Sequence, residues 1–398
     1  MDNILFLLSK YFYYKPLDLR KIIEGFKNIE EVMEAPKDAF LKIGISGKAL
    51  DEFLEKRSSV IARSDSDEAI SFEAGLPRPS GARNDNLNSI KIVTILDKNY
   101  PAALKNIYDA PPILFYRGNL MLLSNANNAN YHANTANNPS SFLPLDKGRM
   151  GGVLAVVGSR KASEYGKRAA EYFVKDLAPH FIIVSGLAYG IDSLAHEIAL
   201  KNNGKAIAVL GSGIDEKSIY PKSNIFLARR IIESGGLLLS EIPPGIGPQK
   251  FHFPMRNRII SGLAKGILII EAGEKSGTLI TAKLGLENGA DIFAVPNNIF
   301  YPNAAGVNFL IKYGAHIATF AEDILSFYGI ESKNSKKEYA PKNETEKIIL
   351  DNLTAGEKHI NELQLLTNMA IPDLIGTLTD LEMAGAIKNI GGKYVKIQ

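Results

Sequence analysis

The chain has 398 residues, 45% of them hydrophobic and 22% charged, which is ordinary for a folded protein and long enough for two or three domains. With no cysteine, it can hold no disulfide, thiolate metal site, cysteine nucleophile or iron–sulfur cluster, and its six scattered histidines show no metal-ligand pairing. A formal net charge of +3 permits nucleic-acid binding only where cations are concentrated locally.

The Ile4–Leu8 run is too short for a signal-peptide core, and no stretch of about 20 apolar residues follows it anywhere. A cytoplasmic protein with no membrane contact is therefore expected. Residues 1–61 carry apolar positions at helical spacing through Leu17, Leu19, Ile22, Ile23 and Phe26. The piece Leu41-Lys42-Ile43-Gly44-Ile45-Ser46-Gly47 leads into a helical Lys48–Lys56 stretch. This is either a plain helical hairpin or a helix-hairpin-helix turn, whose amides hold a nucleic-acid backbone without reading sequence. A small helical domain (SAM-like or helix-hairpin-helix-like) is expected over 1–61.

Residues 62–89 are polar and turn-rich, and 124–140 are Asn/Ala low complexity within a longer insertion at about 119–152. Between them, strands at Ile90–Leu96 and Pro112–Arg117 flank a helix at Tyr100–Ile107. From Val153, short apolar runs alternate with amphipathic stretches. The runs are Val153–Val157, Phe181–Val184, Ala206–Leu210, Gly236–Leu239, Ile267–Ile270 and Ile292–Val295. Helices are expected near 165–178, 191–202, 223–234, 255–264, 277–288 and 305–313. This alternation implies an α/β fold with a doubly wound, mostly parallel sheet across 90–330, binding ligands at the carboxyl ends of its strands. A charged linker, 331–343, then leads to 344–398. There, helices at Glu344–Asn352, His359–Thr367 and Pro372–Ala384 precede a hairpin of Ala386–Ile390 and Lys393–Ile397, in winged-helix order.

Chemistry concentrates in the loops after the strands. Gly158, Ser159 and Arg160 follow the first run, and small residues there let amides approach an anion that Arg160 can grip. The GxGxxG dinucleotide fingerprint is absent, and no cofactor is expected. Gly186 and Tyr189 follow the second run, and Gly211-Ser212-Gly213 the third. Between Glu241 and Glu271 no carboxylate occurs, while Lys250, Arg256, Arg258 and Lys265 do, beside Phe251, His252 and Phe253. Cations interleaved with aromatics suit single-stranded nucleic acid: charge meets the phosphates and ring faces stack on the bases. Finally, Ser276-Gly277-Thr278 offers a capped helix start as another phosphate seat.

These segments in order resemble the signatures of the DNA-processing protein A (DprA/Smf) family. They are Val157-Gly158-Ser159-Arg160, Ser185–Asp192 with Ala195-His196, Tyr220-Pro221, Phe253-Pro254-Met255-Arg256-Asn257-Arg258, and Glu271-Ala272 with Ser276–Ala282. The resemblance covers roughly 90–325. It implies an extended Rossmann-like domain, homodimerisation through it, single-stranded DNA in a basic pocket, and loading of RecA recombinase during natural transformation. The implied DNA-binding set is Gly158, Ser159, Arg160, Gly186, Tyr189, Lys250, Phe253, Arg256, Asn257, Arg258, Ser276, Gly277 and Thr278, with no catalytic or metal-binding residue. Two departures stand out: Tyr189 replaces a frequent arginine, and Asn297-Asn298 follows Pro296 where glycine is common.

An enzymatic alternative is a nucleotide N-glycoside hydrolase of the lysine-decarboxylase-like (LOG) group, with Arg256 and Glu271 in its arginine and glutamate roles. That group's Pro-Gly-Gly-x-Gly-Thr loop is replaced here by Glu271–Thr278. Base release from nucleoside monophosphates, abolished by Glu271→Gln, would identify it. The blander expectation makes Glu271 a hydrogen-bond anchor, His196 a packing residue, and Asp192 an acid favoured in its helix's first turn. The stretch Ile371–Gly385 carries Asp373, Asp380 and Glu382 and no cation, the wrong sign for a DNA-recognition helix. The C-terminal domain is therefore expected to contact protein.

Overall fold

The structure is a computed structural model describing residues 2–26, 29–64, 89–123, 151–330 and 339–396. The expected insertions lie outside the described residues over 65–88 and 124–150, as does the linker over 331–338. The chain divides into two compact units, Met1–Ile330 and Glu331–Gln398.

The first unit is organised by a nine-stranded sheet. Its strands are β1 (Lys91–Thr94), β2 (Ile113–Gly118), β3 (Val153–Val157), β4 (Ile182–Ser185), β5 (Ala206–Val209), β6 (Leu237–Ser240), β7 (Gly266–Ile269), β8 (Asp291–Ala294) and β9 (His316–Ile317). Their order is β1-β2-β6-β5-β4-β3-β7-β8-β9. From β6 to β9 every neighbouring pair is parallel, while β2 pairs antiparallel with both β1 and β6. β3 is buried at all five positions, the pattern of a strand covered on both faces. Its side chains alternate between two cores: Val153, Ala155 and Val157 face one, Leu154 and Val156 the other. Successive strands run outward from β3 through β4, β5 and β6 on one side, and from β7 through β8 and β9 on the other. The reversal between β3 and β7 is the topological switch point of a doubly wound sheet. The expected Rossmann-like, mostly parallel sheet is thus present, with an antiparallel addition at one edge.

Helices cover both faces. Glu164–Leu177 buries Ala169, Ala170, Phe173, Val174 and Leu177, and Ser163 caps its start by accepting from the Gly166 amide. The N-terminal helices Asp2–Phe12, Pro16–Gly25, Ile29–Glu34, Lys37–Lys42 and Lys48–Ser64 do not keep a core to themselves. Leu5, Leu8, Phe12, Ile22, Phe40 and Phe53 belong to the same core as Phe115 and β5, with the Phe6 ring edge-on to Phe115 at 6.4 Å.

Most element boundaries fall within a residue or two of expectation, but the helical stretch expected over Lys48–Lys56 runs on to Ser64, and two other helices differ from expectation. The Tyr100–Ile107 helix shrinks to Ala102–Lys105, because Tyr100 is buried with its hydroxyl donating to the Pro111 carbonyl at 2.6 Å. The helix expected from 255 begins at His252. Pro254 then falls in the first turn, where its missing N–H has no intrahelical partner to lose.

The second unit has its own core of Ile349, Leu350, Leu353, Leu363, Leu374, Leu378, Leu381, Ala386 and Ile387. Helices Glu344–Thr354, Ile360–Thr367 and Ile371–Met383 pack with a three-stranded antiparallel sheet. In that sheet, β12 (Lys393–Lys396) lies between β10 (Lys358–His359) and β11 (Ile387–Ile390). Asn343 caps the first helix by accepting from the Glu346 amide at 2.8 Å.

Candidate nucleic-acid interface

The carboxyl ends of β3 and β7 open into a pocket of about 400 Å³, at the place where doubly wound sheets bind ligands. Gly158 and Arg160 line it after β3, and Asp192 after β4. The His252–Leu263 helix contributes Phe253, Arg256 and Asn257, and the start of the Gly277–Glu287 helix contributes Ser276, Gly277 and Thr278. Eight expected site residues are therefore brought together from three separate segments.

The pocket's floor is charged and buried. Arg256 is 4% exposed, and its Nη1 donates to the Val209 carbonyl at 2.8 Å. Its guanidinium occupies the space where any β-carbon on Gly186 would sit, so residue 186 must be glycine for this packing. Asp192, also buried, accepts from the Gly186 amide at 3.1 Å. Burial lowers the Arg256 pKa to about 10, with Asp192 opposing the shift, so the guanidinium stays cationic at neutral pH. Burial likewise pushes the Asp192 carboxyl upward, and Arg256 pulls it back. His196 lies fully buried nearby, and burial, with Arg256 adding to it, lowers its pKa to about 3, so it is neutral.

The pocket's mouth is aromatic. The Arg160 guanidinium lies over the Phe253 ring at 4.6 Å, a cation–π stack. The Tyr220 ring stands 6.2 Å from Phe253, and Tyr189 stands 6.3 Å from Tyr220 in an edge contact. Tyr189 and Tyr220 are 47% and 41% exposed, and Arg160 makes no ion pair among the described residues. At the opposite wall, Ser276 Oγ accepts from the Thr278 amide at 3.2 Å and so caps its helix. No atom lies within 4 Å of where a Gly277 β-carbon would be, which leaves the helix start open to a ligand. Tyr220 was absent from the expected contact set; its signal was an aromatic in the loop after a parallel strand, the place where the other contacts were sought.

Two expected contacts are corrected. Arg258 is buried and faces away from the pocket, paired with the buried Glu241 and, at 2.9 Å, with Asp109. Residues 256 and 258 lie about 200° apart around a helix, so one of two neighbouring arginines lines the pocket and the other anchors the helix from behind. Gly186 offers no amide to an anion, since its N–H is already donated to Asp192. Three further residues lie outside the pocket wall. Ser159 is tied into its own turn, its Oγ accepting from the Lys161 amide at 3.1 Å. Tyr189 reaches the site only through Tyr220, and Lys250 is an exposed cation ahead of the helix.

Glu271 is fully buried and accepts from the Ser163 amide at 3.0 Å and from the Ser163 hydroxyl. It packs where a Gly166 β-carbon would stand and joins β7 to the helix after β3, without reaching the pocket wall. The loop with Asn297-Asn298 is held by Asn308, whose side chain accepts from the Asn297 amide at 3.3 Å and donates to its carbonyl at 2.9 Å.

The family model described as DNA recombination-mediator protein A matches residues 91–130 and 146–329. The DNA processing protein DprA of Bacillus subtilis (strain 168) is 40% identical over 270 residues, covering 67% of this chain and 80% of that one. The DNA processing protein DprA of Streptococcus pneumoniae is 43% identical over 233 residues, covering 58% and 72% of the two chains. The X-ray structure of DprA from Streptococcus pneumoniae superposes with a TM-score of 0.61 at 34% identity, covering 81% of this chain and 96% of that one.

Proposed function

The chain belongs to the DNA recombination-mediator protein A family, and from that premise we propose that it binds single-stranded DNA in the switch-point pocket. The observation that carries this reading is the row at the pocket mouth in which exposed Arg160, Tyr220 and Tyr189 flank the half-buried Phe253 ring. Ring faces on this row stack on bases, which duplex DNA keeps paired and inaccessible, so the row favours a single strand. Arg160 and Lys250 meet phosphates from outside, Asn257, Ser276, Gly277 and Thr278 donate to them from the pocket walls, and Arg256 supplies the field from below. Gly158 lines the pocket beside Arg160, its missing β-carbon leaving room for Ile191.

In this reading the protein protects incoming single strands in the cytoplasm and loads RecA recombinase onto them during natural transformation and recombination. It acts as a binder, without chemistry of its own. Homodimerisation is supported by apolar surface along the loop after β8, the Ala305–Lys312 helix and β9, where Ile299, Phe300, Tyr301, Phe309, Tyr313 and Ile317 are exposed. The second unit fits a winged-helix-like protein contact. Its Ile371–Met383 helix exposes Ile371, Ile375 and Met383 among acids that repel phosphate. The N-terminal helices fit a SAM-like or helix-hairpin-helix-like module packed onto the Rossmann-like core.

The test is a salt titration of oligo-dT binding to the full chain. Log affinity should fall linearly with log salt, and Arg160→Ala should weaken binding and reduce the slope by about 1. Equal affinity for single strand and duplex, or an unchanged slope in the variant, would refute the proposal.

A further inference from the structure

Beyond the pocket, a second row of rings begins where the first one ends. The Phe251 ring lies 4.5 Å from His252, His252 lies 5.5 Å from Tyr13, and Tyr13 lies 5.5 Å from Tyr14. Residues 251–253 therefore join this row to the Phe253–Tyr220–Tyr189 row. The inner members are explained by packing: His252 is buried, with its Nδ1 at 3.2 Å from the Gly211 carbonyl, and Tyr13 is wedged between two rings. The outer members are not explained in that way. Phe251 and Tyr14 are 45% and 46% exposed, and each has a neighbouring exposed lysine, Lys250 and Lys15. The Lys15 Nζ is 6.0 Å from the Tyr14 ring centre. Its acid neighbour, Asp18, stands 3.9 Å away and is partly exposed, a long surface pairing that competes weakly with phosphate.

We propose that a bound single strand continues past the pocket onto this surface, stacking on Phe251 and then on Tyr14, with Lys250 and Lys15 facing its phosphates. The inference rests on the pocket reading and extends it: the N-terminal helices become part of the strand's path instead of a separate module. Residues 251–253, where the two rows meet, fall inside the carboxylate-free window from 242 to 270, so that segment adds no fixed negative charge at the junction.

Oligonucleotide length separates the two surfaces. Fluorescence anisotropy would compare oligo-dT of about six nucleotides, which fills the pocket, with one of about 20, which also crosses the second row. Tyr14→Ala and Phe251→Ala should each weaken the long strand about tenfold and leave the short one unchanged, while Tyr14→Phe binds as the native chain does. Unchanged far-UV circular dichroism and Tm would establish that these surface variants fold. If Tyr14→Ala leaves long-strand affinity intact, or if short and long strands weaken equally, the extended path is wrong. If the short strand does not bind the native chain, or binds it with no dependence on Arg160, the pocket reading has failed and takes this inference with it.

Discussion

Replacing Arg258 separates its two possible roles, because an anchoring arginine and a DNA-contacting arginine fail differently. The Arg258 and Glu241 side chains are both 5% exposed, and Asp109, the second partner, is 37% exposed. Arg258→Met leaves Glu241 buried without its counter-ion, which costs about 3–5 kcal/mol and lowers Tm by roughly 5–15 °C. Burial already holds the Glu241 carboxyl above the usual carboxylate range, and Arg258 is the main opposing influence. Without Arg258 the folded-state pKa rises further above its unfolded value. Folding then takes up a proton, so the variant's deficit is smallest below the ordinary carboxylate range and grows as pH rises through the shifted pKa. The double variant Glu241→Leu/Arg258→Met removes both buried charges, leaves Asp109 to solvent, and should recover all but about 1 kcal/mol. Urea midpoints at about pH 5 and pH 8, with oligo-dT binding of the double variant, give the readout. A native Tm in Arg258→Met combined with lost DNA affinity would refute the buried pairing and restore Arg258 to the contact surface.

Gly186→Ala should cost about 1–3 kcal/mol, because the new methyl overlaps the Arg256 guanidinium. Adding Arg256→Met should remove that clash, so thermal melts of the double variant should show less damage than the two single losses combined; strict additivity would exclude the contact. The depressed pKa of His196 implies stability that is full above about 6.5 and lost as pH falls toward about 3, since the unfolded imidazole takes a proton that the buried one refuses. Native protein and His196→Asn should therefore diverge across that window by a few kcal/mol in urea midpoints, and parallel pH profiles would contradict the burial.

The sheet was legible because its central strands are continuous apolar runs of four or five residues, each followed by a small or polar loop. β9 was not, since two exposed residues at a sheet edge leave no hydrophobic period to detect. Arg160, Phe253 and Ser276 could be placed because each sits beside a strand end or a helix start. The division of labour between Arg256 and Arg258 could not, because it depends on partners distant in sequence. Val209, Asp192 and Gly186 hold one arginine, and Glu241 and Asp109 hold the other. A stretch of alternating cations shows how much charge is present but not which way each side chain faces. The aromatic row was missed at Tyr220 for a related reason: its ring-to-ring contacts bring together two loops and a helix that are distant in sequence.

The two arginine anchors have a consequence in time. The helix bearing Phe253 is fixed through Arg256 to the carboxyl end of β5 and through Arg258 to Glu241 at the end of β6. A ring platform held from below arrives at the encounter already in its bound shape, so little conformational freedom is lost when a strand lands. Arrival and departure then answer to different residues. On the proposed reading, exposed cations such as Arg160 and Lys250 would set how fast a strand is captured, and added salt would slow that step. The rings would set how long it stays, so a lost ring should shorten residence and leave capture almost as fast as before.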